Sequence, residues 1–337
     1  MRAQRLSLLA LGLALLVVIA LASAPGLPSP TLGPSQPPPT SVATMSGGPS
    51  AGPSASAAAP ASPSPTAVAS APSGGQVPAF GHVFVVVMEN REATAIIGNP
   101  DAPYINALAR RYGLATNYRA VAHPSEPNYL ALWSGSTQGV TNDGVYNFAA
   151  GRTLADEVEA SGRSWHVAAE NVPLGCYTGS TASGGPDGSG TYARKHEPAI
   201  SWTSVSGNAA RCARITDFSH FDPNLGDLWF VAPNLCHDMH DCSIATGDAF
   251  LRSWLPGILT SAAFGDGVVF LTWDEGTTAT GGGGRVATIV MSPLVKGGST
   301  SATSHSHYSL LRTIEDAWGL PCLARACDAN DLQEFFR

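Results

Sequence analysis

HVFVVVMEN (82–90) decides the fold. Its first seven residues form an unbroken apolar, β-branched run, the pattern of a parallel strand covered on both faces. The run stops at Glu89-Asn90. VVFLTWDE (268–275) repeats the design and stops at Asp274-Glu275, while LWFVAPN (228–234) runs into Asn234 and then LCHDMHDC (235–242). SWHVAA (164–169) and VATIVMS (286–292) predict two more strands. Helical spacing predicts helices over APYINALARRYG (102–113), NYLALWSG (128–135), TLADEVEASG (153–162), TGDAFLRSWLPGIL (246–259) and HYSLLRTIEDAWG (307–319). Strands alternating with helices predict an α/β domain with a mostly parallel central sheet and helices on both faces. In such sheets chemistry collects beyond the carboxyl ends of the strands. That is where these three strands deliver acids, amides and histidines.

The rest of the chain divides around this domain. Residues 1–79 hold only two charged side chains, Arg2 and Arg5, and no acid, histidine or cysteine. The two arginines precede an apolar run from Leu6 to Leu21 and then Ala22-Ser23-Ala24, so residues 1–24 read as an export signal. An uncleaved membrane anchor is the competing expectation, because the run is nearly long enough to span. Residues 25–79 are Pro, Ser, Ala, Gly and Thr with little else, and are expected to form a disordered, partly polyproline spacer that permits O-glycosylation. Residues 80–337 therefore carry all 25 acids against the remaining 16 basic residues, a balance of −9. That excludes a polyanion such as nucleic acid as the expected partner, since phosphate neutralisation needs Lys and Arg. A small phosphoester stays open, because a bound cation inverts local charge. No integral membrane domain beyond the N-terminal anchor alternative is expected. Outside the cytosol, six cysteines without a CxxC pair read as structural disulfides. Separation favours Cys236 with Cys242 and Cys322 with Cys327, leaving Cys176 and Cys212, although six cysteines admit 15 connectivities.

The strand-end residues suggest a metal. Glu89, Asn90, Asp274 and Glu275 are hard oxygen ligands suited to one divalent ion: Mg²⁺, Ca²⁺ or Mn²⁺, or with histidines zinc or iron. One acid at a strand end would read as a helix cap; three equivalent positions read as a site. Ser125, in HPSEPNYLALWSG (123–135), is the candidate nucleophile. It stands where a helix begins, so free N–H groups and the dipole favour phosphate oxygens, and a nearby metal would lower its pKa. Taken alone, Ser-Glu-Pro is an ordinary N-cap. Among the histidines, His82 and His166 read as structural, and His220 and His305 have no evident partner. His240 and His307 are the candidates for proton transfer, with His123 as a phosphate contact and His196 behind it.

Six blocks carry a family resemblance: VVVMENREATAIIGNPDAPYINALA, AHPSEPNYLALWSG, YARKHEP, VAPNLCHDMHDCSIATGDAFL, LTWDEG and HYSLLRTIEDAWGLP. From about His82 to Pro321 the chain resembles the bacterial and fungal phosphoesterase family of acid phosphatases and phospholipases C. It is most similar to compact secreted acid phosphatases of the mycobacterial type, which are associated with phosphoinositides. The resemblance implies an alkaline-phosphatase-like fold, Ser125 as nucleophile, Glu89-Asn90 and Asp274-Glu275 as metal pairs, and Asn234, Asp238, His240 and His307 around the phosphate and leaving group; Lys195-His196 matches a further block, and Asn128 and His196 are candidate substrate contacts. Relatives follow WDEG with further acids, whereas TTATGGGGR (277–285) stands here as a candidate flap. The expected function is a secreted or cell-surface phosphomonoesterase working through a phosphoserine, with phosphatidylinositol 3-phosphate among the candidate substrates. A phospholipase C-type phosphodiesterase and a catalytically silent surface module are the alternatives. Serine in place of threonine speaks against the first, and the full acid set against the second.

Overall fold

A computed structural model of the protein describes residues 76–184 and 190–337. The expected signal and almost all of the expected spacer lie outside the described residues. Val77 is buried in the core, so the folded part includes residues that the sequence reading gave to the spacer.

The strands, in chain order, are β1 Val83–Met88, β2 Gly113–Arg119, β3 Trp165–Ala169, the hairpin β4 Thr181–Ser183 and β5 Thr191–Ala193, β6 Ile215–Thr216, β7 Leu228–Ala232, β8 Val268–Trp273, β9 Arg285–Met291, β10 Thr300–Ser301 and β11 His305–Ser306. The helices are α1 Ala93–Ile96, α2 Pro103–Arg111, α3 Glu126–Ser134, α4 Leu154–Ala160, α5 Thr203–Ser206, α6 Ala209–Cys212, α7 Ile244–Trp254, α8 Pro256–Leu259 and α9 His307–Trp318. The main sheet runs β10-β2-β9-β8-β1-β7-β3-β6, with β11 also on β2. Every residue of β1, β7 and β8 is buried. Both faces of the central sheet are therefore covered, as the continuous apolar runs require. α3 packs on α9 and α4, and α2 packs on α7.

β8 and β7 flank β1 in parallel, which places Met88 beside Trp273 and aligns the acidic ends that follow. β9 runs antiparallel to both β8 and β2. Two reversals restore the direction, so β2 points the same way as β1 and β8 and delivers Arg119 to the edge that holds Glu89 and Asp274. The sequence reading did not predict β2. It ended a helix at Gly113, where the structure begins a strand. GLATNYR alternates in burial and contains Gly and Asn, so its strand signal is weak. The expected helix over 246–259 is two pieces, divided at Pro256, which lacks the N–H to continue the ladder. α3 and α9 end at Gly135 and Gly319, both left-handed (φ +69° and +62°), the conformation a helix stop takes most readily with glycine.

The six cysteines pair as Cys176–Cys212, Cys236–Cys242 and Cys322–Cys327. Among the described residues no helix is long and apolar enough to cross a membrane.

Candidate active site

The site is built on backbone continuity. Met88 and Trp273 end adjacent strands, and the Asp274 N–H donates to the Met88 carbonyl (2.9 Å) while the Asn90 N–H donates to Asp274 Oδ1 (3.1 Å). Glu89 and Asp274 are thereby fixed side by side, both fully buried. The Glu89 N–H donates to the carbonyl of Asp238, which ties the β7 loop to the same edge.

Ser125 immediately precedes α3 but does not cap it. Its backbone is already helical (φ −59°, ψ −53°) and its hydroxyl makes no cap hydrogen bond. Instead Ser125 Oγ lies 3.0 Å from Glu89 Oε2 and 3.3 Å from Glu275 Oε1, buried between two carboxyls. The ordinary N-cap alternative is corrected by this geometry. One turn further along α3, the Tyr129 hydroxyl donates to Glu89 Oε1 (2.6 Å), and its ring stacks on His196 at 5.0 Å. His196 Nε2 is 3.1 Å from Glu89 and its Nδ1 3.3 Å from Asp238, so the imidazole lies between two acids.

Burial raises the proton affinity of these carboxyls, and Asp274 adds to it at Glu89 and Glu275. Burial, then repulsion from Asp274 and Asp238, holds Glu89 well above the ordinary glutamate range. Burial pushes Asp274 to about 6, and burial together with Asp274 pushes Glu275 to about 9. Asp274 Oδ2 is buried without a hydrogen-bond partner among the described residues. A repelling set of hard oxygens with an unanswered lone pair fits a divalent cation in its donor chemistry. Among the described residues no three acids, histidines or cysteines are gathered into a metal cluster.

Around this floor stands a partly exposed rim. His123 Nδ1 binds Glu275 Oε2, with over a third of its side chain open to solvent. Lys195 Nζ pairs with Asp143 Oδ2 (2.7 Å) and lies 3.5 Å from His240 Nε2, whose other nitrogen binds Asp241. Asp143 also accepts from the Glu126 N–H at the start of α3 (3.0 Å). Burial above all lifts Glu126 to about 7.

Several sequence expectations change here. Asn128 is not turned to a substrate. Its Oδ1 accepts from the N–H groups of Val121 and Ala122 and its Nδ2 donates to Ala122 and Pro124, so it braces the loop that carries Ser125. Asn234 likewise uses Oδ1 for the Cys236 and His237 N–H groups, shaping its own loop. His307 was expected to carry protons. It is fully buried, its Nε2 is on the Asp274 carbonyl and its Nδ1 on the Tyr118 hydroxyl, and burial lowers it to about 4. A carbonyl only accepts, so Nε2 holds the proton, Nδ1 accepts from Tyr118, and the ring is a neutral prop behind Asp274. Glu275, expected as a metal ligand, has its oxygens on Ser125 and His123. Conversely, Tyr129 and Asp143 were not singled out. Tyr129 reads as one more apolar helix residue, although its spacing of four from Ser125 puts both on one helix face. Asp143 sits in TNDG (141–144), a turn sequence with no further signal.

The phosphoesterase family profile matches residues 98–321. The chain is 36% identical over 266 residues to a phosphatidylinositol-3-phosphatase of Mycobacterium tuberculosis, covering 77% of this chain and 84% of that one. It is 32% identical to an acid phosphatase of Aspergillus fumigatus, covering 76% of this chain and 59% of that longer protein. In fold, it matches the lipoteichoic acid synthase LtaP of Listeria monocytogenes (TM-score 0.54, 10% identity, 80% and 79% covered). It also matches an alkaline phosphatase superfamily protein from Vibrio parahaemolyticus (TM-score 0.50, 9% identity, 77% and 71% covered). The family profile, the two relatives and the shared fold agree: the chain belongs to the phosphoesterase family and is a hydrolase of phosphoric esters.

Proposed function

We propose that the protein is an exported phosphomonoesterase in which Ser125 is the nucleophile. The observation that carries this reading is the Ser125 hydroxyl buried between Glu89 and Glu275 instead of capping its helix. A serine is a weak nucleophile until a base takes its proton; two carboxyls are within reach and serve once ionised, the form a bound cation would favour. Ser125 Oγ forms the new bond to phosphorus, its proton passes to a carboxyl, and the ester oxygen leaves with a proton from the rim, where His240 stands beside Lys195. Water then attacks the phosphoserine and gives a proton to the rim group that protonated the leaving alcohol; the Oγ–P bond breaks, and the carboxyl returns its proton to Ser125 Oγ. Lys195 supplies the fixed positive charge that a phosphate needs over an acidic floor. A divalent cation held by Glu89, Asn90 and Asp274 would lower the pKa of the Ser125 hydroxyl and offset phosphate charge.

The substrate reading rests on the relatives: a phosphomonoester, with phosphoinositides such as phosphatidylinositol 3-phosphate as the lipid candidates. Export is supported by the three disulfide pairs. The test is Ser125→Ala assayed on an aryl phosphate and on phosphatidylinositol 3-phosphate. Phosphate release is expected to fall at least about a thousandfold with the melting temperature intact. Retained turnover in a folded variant refutes the nucleophile assignment. Release of a phosphorylated headgroup from a diester, faster than phosphate from a monoester, would favour the phosphodiesterase alternative.

A further inference from the structure

A cavity of about 480 Å³ lies beside the chain segment that carries Ser125, and the reaction above does not use it. Three features of its wall suit an anion. First, Arg119 and Arg325 both line it. Among the described residues the arginines that pair with carboxylates are Arg152, Arg163, Arg211, Arg214 and Arg312, and neither cavity arginine is among them. Asp328 is the one acid in the lining. Second, the wall includes Ser306, the N-cap of the twelve-residue α9, and Ser309 in its first turn; the two serines close a capping box on each other, and the dipole of the helix start favours negative charge. Third, His305 lines the cavity and is 98% buried; its Nε2 donates to Glu334, and its Nδ1, without a hydrogen-bond partner among the described residues, becomes a donor for an anion when the ring takes a second proton. In a domain of net negative charge, two arginines with no carboxylate partner among the described residues, a helix start and a buried imidazole with one nitrogen unpaired meet at one cavity.

We propose that this cavity binds a phosphate group, as a second anion site apart from Ser125. Its lining includes Val121, whose N–H is braced by Asn128, and Gly281 of the glycine-rich segment. Val121 precedes Ser125 by four residues, so the wall is at most about 14 Å from the nucleophile. An occupant would sit against the segment that leads to Ser125 without touching Ser125 itself. The phosphate has two sources: free inorganic phosphate, or a second phosphate of the molecule being hydrolysed. The latter alone rests on the function proposed above; binding as such does not.

The experiment measures inorganic phosphate binding by equilibrium dialysis to the full chain and to Arg119→Gln/Arg325→Gln. One bound phosphate per chain is expected to disappear, or to bind at least about tenfold more weakly. Turnover of saturating p-nitrophenyl phosphate is expected to stay within about twofold. Lysine at both positions, keeping the charge, should restore part of the binding. Should the double variant melt lower, Arg119→Gln alone, at an exposed strand end, gives the same reading. A KM that rises for an inositol bisphosphate but not for a monophosphate assigns the occupant to the substrate. An unchanged KM ratio with lost phosphate binding assigns it to free phosphate. Unaltered phosphate binding in a folded variant overturns the site. Failure of the wild-type chain to hydrolyse any monoester would count against the proposed function and leave the binding result standing.

Discussion

Two groups of buried acids can be set side by side. At the sheet edge, Glu89, Asp274 and Glu275 surround Ser125. Beneath the C-terminal segment, Glu315 of α9 is equally buried, and burial lifts it to about 8. It accepts from the Leu323 N–H (2.8 Å) on one oxygen, and the other has no partner among the described residues. By proton affinity alone the two places look alike. The difference is what the acids face: a serine hydroxyl with histidines and a lysine at the rim in one case, a turn of backbone in the other. A perturbed carboxyl marks burial; only the convergence of a nucleophile, bases and cations marks a reaction.

That contrast is breakable. Glu89→Gln removes a group that can take the Ser125 proton and should lower phosphate release by about a hundredfold or more, without loss of melting temperature, because glutamine matches the neutral form in which burial and the neighbouring acids hold Glu89. Steady-state kinetics with a thermal melt decides it, and unchanged kcat would strike Glu89 from the site. Tyr129→Phe deletes only the hydroxyl that orients Glu89 and should cost about tenfold in kcat with little change in KM. Glu315→Gln should leave turnover untouched and alter stability alone. Glu315 binds its proton more tightly folded than unfolded. Its contribution is therefore complete below about pH 4.5 and is lost as pH rises towards 8. The wild-type melting temperature should fall across that window, and the Gln variant should fall by several degrees less. Parallel curves for the two proteins would show that Glu315 is not protonated in the fold.

How far the sequence reaches is visible in particular residues. β1, β7 and β8 are legible because a strand buried on both faces must be apolar throughout, and the acid that follows each run stands out against it. β2 is illegible because its exposed positions carry polar residues and its core positions are few. Yet β2 carries the loop to Ser125. Tyr129 and Asp143 are missed for a related reason: their roles lie in what they touch across the fold, and neither residue type is unusual where it stands.

The α/β architecture, the strand ends at which polar residues gather, and Ser125 as the candidate nucleophile are all written in the order of the residues. Those features are local, written in apolar runs and in the residues that interrupt them. The tertiary structure decided which polar groups point at one another. Asn128 and Asn234 turn to their own loops, His307 becomes a neutral prop, and Ser125 gives up its cap for two carboxyls. The physical reason is that a hydrogen bond depends on direction within a few tenths of an ångström. Residues more than a hundred positions apart acquire that precision only when the sheet register brings their strands together.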